Sequence, residues 1–448
     1  MSDYMFMLES HLGAEQNKVV VAAEAAARDA GVNLFLTGGA MRDMLGGFQI
    51  RDLDFTVEGN ALKLAKVVAK EAGAEMTAVD EHRRSVEMLF PGGTTAEISM
   101  AKQERYVKIG GRPIITPATI HEDLRCRDFT VNAVALSLNR ASLGLILDPT
   151  NGVGDLEHRE LRTVYSRALY DDPGRILRLI RLRVRFGLTV DARTQMQYEN
   201  VRLEELEKCL TGRRLFSELA EIAAEANPGE VLQLLEQEKL LALFSPVLAG
   251  LKLNLAGFAR LQKARQLVPF GADLAVDNLA LFLFLLNEKL SPKEKAALAK
   301  STAMRAAESG LGGRLAAGAK KLEGELKSAK IRKASQVYKI LSAAPGEQIL
   351  LLYVNSNLRV VQDRIRNYFQ KYLPAALEVT DREVAATGVE PGTSKFKKAK
   401  EELIRIRLDS RPKKAPEPEA EAAAAPAEPL RGREALAARM HKPAGPRS

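Results

Sequence analysis

The chain has 448 residues, 46% hydrophobic and 27% charged, which excludes a fibrous or wholly disordered protein and leaves room for roughly two to four domains. A formal net charge of +9 favours polyanionic partners such as nucleic acid, and 5% aromatic content without Trp fits a helix-rich protein better than an all-β one. Only Cys126 and Cys209 are present, which excludes a disulfide framework and a thiolate metal centre. No stretch has the apolar length of a membrane span and the first residues lack a secretory pattern, so a cytoplasmic protein is expected.

The spacing predicts a helix over 18–30, ended by Gly31, and a strand at Asn33–Thr37. Gly38-Gly39 breaks that strand, and Ala40–Leu45 starts a helix. Asp52–Val57 alternates like a half-buried strand, 60–72 reads as a helix, and 86–90 and 95–100 read as strands. These form a mixed α/β domain ending near residue 155. Helical periodicity dominates from Asp171 to about residue 380. From Arg411 on, the chain is mostly Pro, Ala, Glu and basic residues without an aromatic, so 411–448 is expected to be a disordered tail.

Four motifs carry the chemistry. Gly38-Gly39-x-x-Arg42-Asp43 joins a strand to a helix. Its glycines let a phosphate approach backbone N–H groups, and Arg42 adds charge-assisted bonds. An ordinary strand-to-helix turn is the plain alternative. Asp52-x-Asp54 places two carboxylates on one strand face, where they suit magnesium and two-metal phosphoryl transfer. A solvated acidic face is the alternative there.

The second motif, Asp123 to Ala133, offers Arg127 to a triphosphate and Asn132 to a sugar or phosphate. The third, Asp148-Pro149 through Gly152, Gly154 and Asp155, reads as a strand end, a glycine turn and a helix cap. The fourth is Asp171-Asp172-Pro173-Gly174-Arg175 with Arg178 and Arg181. Its spacing of three predicts one row along a helix, with Asp172 and Arg175 side by side to read a base edge. Arg183 and Arg185 read as a surface basic stripe.

Together these motifs resemble the class II tRNA nucleotidyltransferase and bacterial poly(A) polymerase family, whose signatures are GGxxRDxLxG with DxD, RRDFTxNA, DP…G…DL and EDxxRxLRxxRF. The resemblance is strong over about residues 33–190. It implies an α+β catalytic head of the nucleotidyltransferase, polymerase β-like type at 1–155. A helical neck at 156–215 and a helical body and tail for RNA binding at 216–410 would follow. Asp52 and Asp54 would be the catalytic, magnesium-binding carboxylates. Gly38, Gly39 and Arg42 would hold the triphosphate, and Arg127 and Asn132 would contact the nucleotide. Asp172 and Arg175 would read the base of CTP or ATP, with Arg178 and Arg181 as further contacts.

The expected activity is template-independent addition of CCA, or its terminal A, to a tRNA 3′ end, with no DNA or membrane partner. A poly(A) polymerase is the alternative on the same site, and a non-catalytic RNA-binding protein is the alternative of another class. Cys126 stands where the family has Arg, Asp171 where it has Glu, and Val153-Gly154 shifts its paired glycines. Glu97, on a predicted strand, is a candidate third carboxylate, with an ordinary edge-strand acid as the equal alternative. The stretch from Lys102 to Thr119 matches a flexible loop that members adding only CC generally have short.

Overall fold

The structure is a computed structural model, which describes residues 3–269, 271, 272 and 274–410. The tail expected to be disordered, 411–448, lies outside the described residues. The chain divides into two compact units, Met1–Glu378 and Val379–Ser448.

The first unit opens with helices Asp3–His11 and Ala14–Asp29 and then builds a seven-stranded sheet. Its strands are β1 (Asn33–Thr37), β2 (Leu53–Glu58), β3 (Glu75–Asp80), β4 (Ser85–Leu89) and β5 (Thr95–Met100). A separate hairpin pairs β6 (Lys102–Arg105) with β7 (Ile114–Pro117). The main sheet closes with β8 (Ala135–Ser137) and β9 (Ile146–Leu147), in the order β3-β4-β5-β2-β1-β8-β9.

Strand alternation divides the sheet into two chemically different faces. Leu34, Leu36, Leu53, Phe55, Val57, Val86, Met88, Ala96 and Ile98 share one core with Val19, Val20, Leu64 and Val68 of the helices Ala14–Asp29 and Ala61–Ala72. The residues between them point the other way, and they include Thr37, Asp54, Thr56, Glu97 and Ser99. β2 is central, parallel to β5 and antiparallel to β1, with Asp54 registered opposite Glu97. The apolar alternation therefore fixes which face carries the acids.

From Ala168 onward the unit is helical apart from the short strand Thr189–Val190, and a second core runs from Phe129 through Leu179, Phe244 and Phe282 to Phe369. In the second unit, helices Asp381–Ala385 and Ser394–Ser410 pack together, with Val384, Phe396, Ile404 and Leu408 buried. No helix among the described residues is long and apolar enough to cross a membrane.

Candidate active site

β1 ends at Thr37, and the chain turns through Gly38, at φ +61°, into the helix Gly38–Leu45. Both glycines are required by the approach of Asp54. The Gly39 N–H donates to Asp54 Oδ2 at 2.7 Å, and a Cβ on Gly38 or Gly39 would stand 2.9 or 3.0 Å from that oxygen. Asp52 lies one residue before β2, is exposed, and accepts from Thr95 Oγ1 at 2.5 Å. Burial pushes the Asp54 carboxyl up to about 7; Glu97 and Asp52 add to this, while the Gly39 N–H and Arg42 oppose it.

Asp52, Asp54 and Glu97 gather carboxylate oxygens at this end of the cleft, a donor set that fits a divalent cation. Among the described residues no three His, Cys, Asp or Glu side chains form a group that would hold a metal alone. Two carboxylates, with the remaining positions left to phosphate oxygens and water, suit an open divalent-cation site and not a closed protein cage.

Beside the acids, one hydrogen-bonded chain joins three of the motifs. Arg42 Nη1 donates to Asn132 Oδ1 at 2.7 Å, Asn132 Nδ2 donates to Asp128 Oδ1 at 2.9 Å, and Arg178 Nη1 donates to Asp128 Oδ2 at 2.6 Å. Burial alone would raise Asp128, but Arg178 and Arg175 outweigh it and hold the carboxyl well below the usual range. Arg127 braces the glycine turn from beneath. Its Nε and Nη2 grip Asp123 Oδ2 at 2.9 and 2.8 Å, and Nη2 also donates to Thr37 and Thr56 Oγ1 at 3.2 and 3.1 Å.

The third motif is structural, as its composition suggests. Asp148 accepts from the Gly152 and Val153 N–H groups at 2.7 and 2.9 Å, and Asp155 accepts from Thr130 Oγ1 at 2.6 Å. It thereby pins the second motif against the helix Gly152–Glu157.

The fourth motif differs from its predicted form in three ways. The helix begins at Arg175 and runs to Phe186, so Asp172 precedes it in extended conformation and is not on a shared face with Arg175. The cause is Pro173, which disfavours helical geometry in the residue before it. Asp172 Oδ1 instead accepts from the Gly174 N–H at 3.0 Å and pairs with Arg214. Arg181 is buried against Glu225, Glu221 and Glu218, at 3.2, 3.2 and 3.8 Å. Arg185 is not a surface residue: its Nη2 lies 2.5 Å from Asp43 Oδ2, because that deeply buried carboxylate draws in counter-charge.

All these elements open on one cleft of about 430 Å³. It is lined by Gly38, Gly39, Arg42, Asp52, Asp54, Arg127, Asn132, Asp172, Arg175, Arg178 and Arg181, so the residues expected to bind metal or nucleotide come together there, while the third motif stays outside it. Glu97 and Cys126 join them; Cys126 is a free, half-buried thiol that burial pushes up. Sequence reasoning missed Asp43 and Asp128, which organise the arginines. The adjacent Arg-Asp pairs, Arg42-Asp43 and Arg127-Asp128, were their available signal. An anionic, basic-rimmed cleft of this kind can bind a triphosphate, hold a divalent cation at Asp52 and Asp54, and present polar side chains to a base.

Residues 34–162 match the family model described as the poly A polymerase head domain. A curated relative, the A-adding tRNA nucleotidyltransferase of Aquifex aeolicus, is 29% identical over 346 residues, covering 75% of this chain and 40% of that protein. The CC-adding tRNA nucleotidyltransferase of Deinococcus radiodurans is 34% identical over 203 residues, covering 45% of this chain and 53% of its own length. The chain thus spans about half or less of these relatives. A solved structure of a CCA-adding enzyme in apo form II aligns with TM-score 0.54 and 23% identity, covering 92% of this chain and 96% of that one.

Proposed function

Because this chain, through its head domain, belongs to the class II tRNA nucleotidyltransferase and bacterial poly(A) polymerase family, we propose that it adds CCA, or its terminal A, to tRNA 3′ ends from CTP and ATP. The observation that carries this reading is the single cleft in which a phosphate-type glycine turn, Asp52, Asp54 and the fourth-motif arginines meet.

In this reading, the side-chain-free turn at Gly38–Gly39 lets the triphosphate approach, and the basic rim of Arg42 and Arg178 receives it. Asp52 and Asp54 hold magnesium, which supplies charge neutralisation at the phosphates and lowers the pKa of the attacking hydroxyl. Asp172 and Arg175 face the base, accepting from an exocyclic amine and donating to a ring nitrogen. The RNA 3′-hydroxyl attacks the α-phosphate in line and pyrophosphate leaves. Arg127, Asn132 and Asp128 hold the geometry, so that catalysis comes mainly from positioning. A cytoplasmic location belongs to the same proposal.

The test offers purified protein tRNA ending before CCA, tRNA ending at CC, and an unrelated RNA, with each nucleoside triphosphate separately. Labelled CMP and AMP entering the first substrate support full CCA addition. A second reading, terminal A addition alone, is favoured by the long alignment with the A-adding Aquifex relative; it predicts labelling of the CC-ending tRNA only. Labelling of unrelated RNA by ATP alone would point to poly(A) synthesis. No metal-dependent labelling of any RNA would overturn the enzymatic reading.

A further inference from the structure

Asp172 and Arg175 are held from behind by two side chains outside all four motifs. Arg175 Nη1 donates to the Tyr165 hydroxyl at 3.0 Å and to the Ala168 carbonyl at 3.3 Å. The guanidinium also lies 5.7 and 5.9 Å from the ring centroids of Tyr165 and Tyr106. Its carboxylate partner, Glu104, is 4.0 Å away. The hydroxyl and carbonyl anchors are neutral, and they fix the guanidinium through Nη1.

Asp172 has a different anchor. Arg214, in the helix Arg213–Ala224, pairs with Asp172 Oδ1 and donates from Nη1 to the Gly110 carbonyl at 2.9 Å. Gly110 in turn donates its N–H to the Asp171 carbonyl at 3.0 Å. Both Tyr165 and Arg214 stand outside the lining of the cleft and reach it only through the side chain each one holds.

We infer that Tyr165 and Arg214 are positioning residues for nucleotide selection, Tyr165 by orienting the Arg175 guanidinium and Arg214 by orienting the Asp172 carboxylate. The inference rests on the proposed base-reading role of that pair. Tyr165 holds Nη1, while Nη2 lies 4.0 Å from Glu104 Oε2, beyond hydrogen-bond distance; Arg214 and the Gly174 N–H both engage Asp172 Oδ1. Discrimination between bases needs both edges in fixed register, because a displacement of about 1 Å forfeits the aligned hydrogen bonds. The planar fork of Arg214 spans the carboxylate and the Gly110 carbonyl at once, which an ammonium group does not reproduce.

The experiment compares Tyr165→Phe and Arg214→Lys with wild type, and with Asp172→Ala and Arg175→Ala, in single-nucleotide incorporation from all four triphosphates. kcat and KM are measured separately, beside melting temperatures. Tyr165→Phe and Arg214→Lys should raise KM for CTP and ATP and weaken discrimination against UTP and GTP by roughly five- to tenfold, the loss of one charge-assisted hydrogen bond, with little change in kcat or melting temperature. If the two alanine variants relax selection while Tyr165→Phe and Arg214→Lys select like wild type, the positioning inference is overturned and base reading stands. If none of the four changes selection, base reading itself fails. Loss of melting temperature with selection intact in the conservative variants makes both side chains structural and also overturns the inference.

Discussion

Asp54 carries a carboxyl that burial and two neighbouring acids push up to about 7, and this couples stability to pH. The folded value lies above the ordinary carboxylate value of 3.8. Stability is therefore fully present below that ordinary value and is lost as pH rises through about 7. In metal-free buffer, Asp54→Asn should melt higher than wild type at pH 8, by on the order of a few °C. The difference should shrink toward pH 5, as read by calorimetry in chelator. Magnesium should raise the wild-type melting temperature more at pH 8 than at pH 6, since protons compete for the same oxygens. An equal effect at both pH values would dissociate Asp54 from the metal. For turnover, Asp52→Ala and Asp54→Ala should each abolish nucleotide transfer while RNA binding and the far-ultraviolet spectrum stay near wild type. Near-normal rates in magnesium would remove the two-carboxylate assignment.

The glycine turn and the third motif make the matching case for whole elements. Gly39→Ala puts a methyl 3.0 Å from Asp54 Oδ2, and Gly38→Ala adds the strain of a left-handed φ. We expect transfer to fall at least about a hundredfold in either variant, because the carboxylate must move by a fraction of an ångström. Gly152→Ala sets a Cβ 2.1 Å from the Thr130 carbonyl, which is backbone and does not yield; it should cost about 2–3 kcal/mol of stability in chemical denaturation. Which elements the sequence revealed follows from how their residues are buried. The alternation around Leu34, Leu36, Phe55 and Val57 is legible because one face of each strand is apolar. β3 left no such trace: only Met76 escapes full exposure in Glu75–Asp80, so no alternation marks it. The hairpin β6–β7 hid for the same reason, since none of its residues is buried. The misplaced Asp172 came from reading periodicity through Pro173, where the local rule about the residue before proline is the stronger one. Asp43 and Asp128 escaped notice because a buried acid looks like a surface acid until its arginines are brought to it by the fold.

The first unit is held across the cleft by buried charge as well as by its apolar cores. Asp43, on the glycine-turn helix, meets Arg42 at 3.1 Å, Arg185 at 2.5 Å and Arg51 at 3.9 Å, and Arg185 and Arg51 both lie 3.8 Å from Glu225. Burial raises Asp43 and Glu225 against these arginines, so each charge is tolerated only in company. Arg185→Ala should therefore destabilise the protein by about 3–5 kcal/mol in chemical denaturation, far more than a surface arginine. A loss under 1 kcal/mol would return Arg185 to the surface stripe expected from the sequence. Residues 415–448 offer the contrast: with few core-forming residues in their composition, their deletion should leave melting temperature and transfer near wild type.

One consequence follows from the two ties on the helix Arg175–Phe186. Arg178 is bonded to Asp128, which reaches Arg42 through Asn132, and Arg185 is bonded to Asp43 on the same helix as Arg42. Two attachments seven residues apart on one rod prevent it from pivoting about either. The cleft then behaves as a calliper locked at one opening, its jaws being Asp52 and Asp54 at the start of β2 and the first turn of that helix. Under the proposed function, that fixed opening gauges a nucleotide along its whole length, from α-phosphate to base edge.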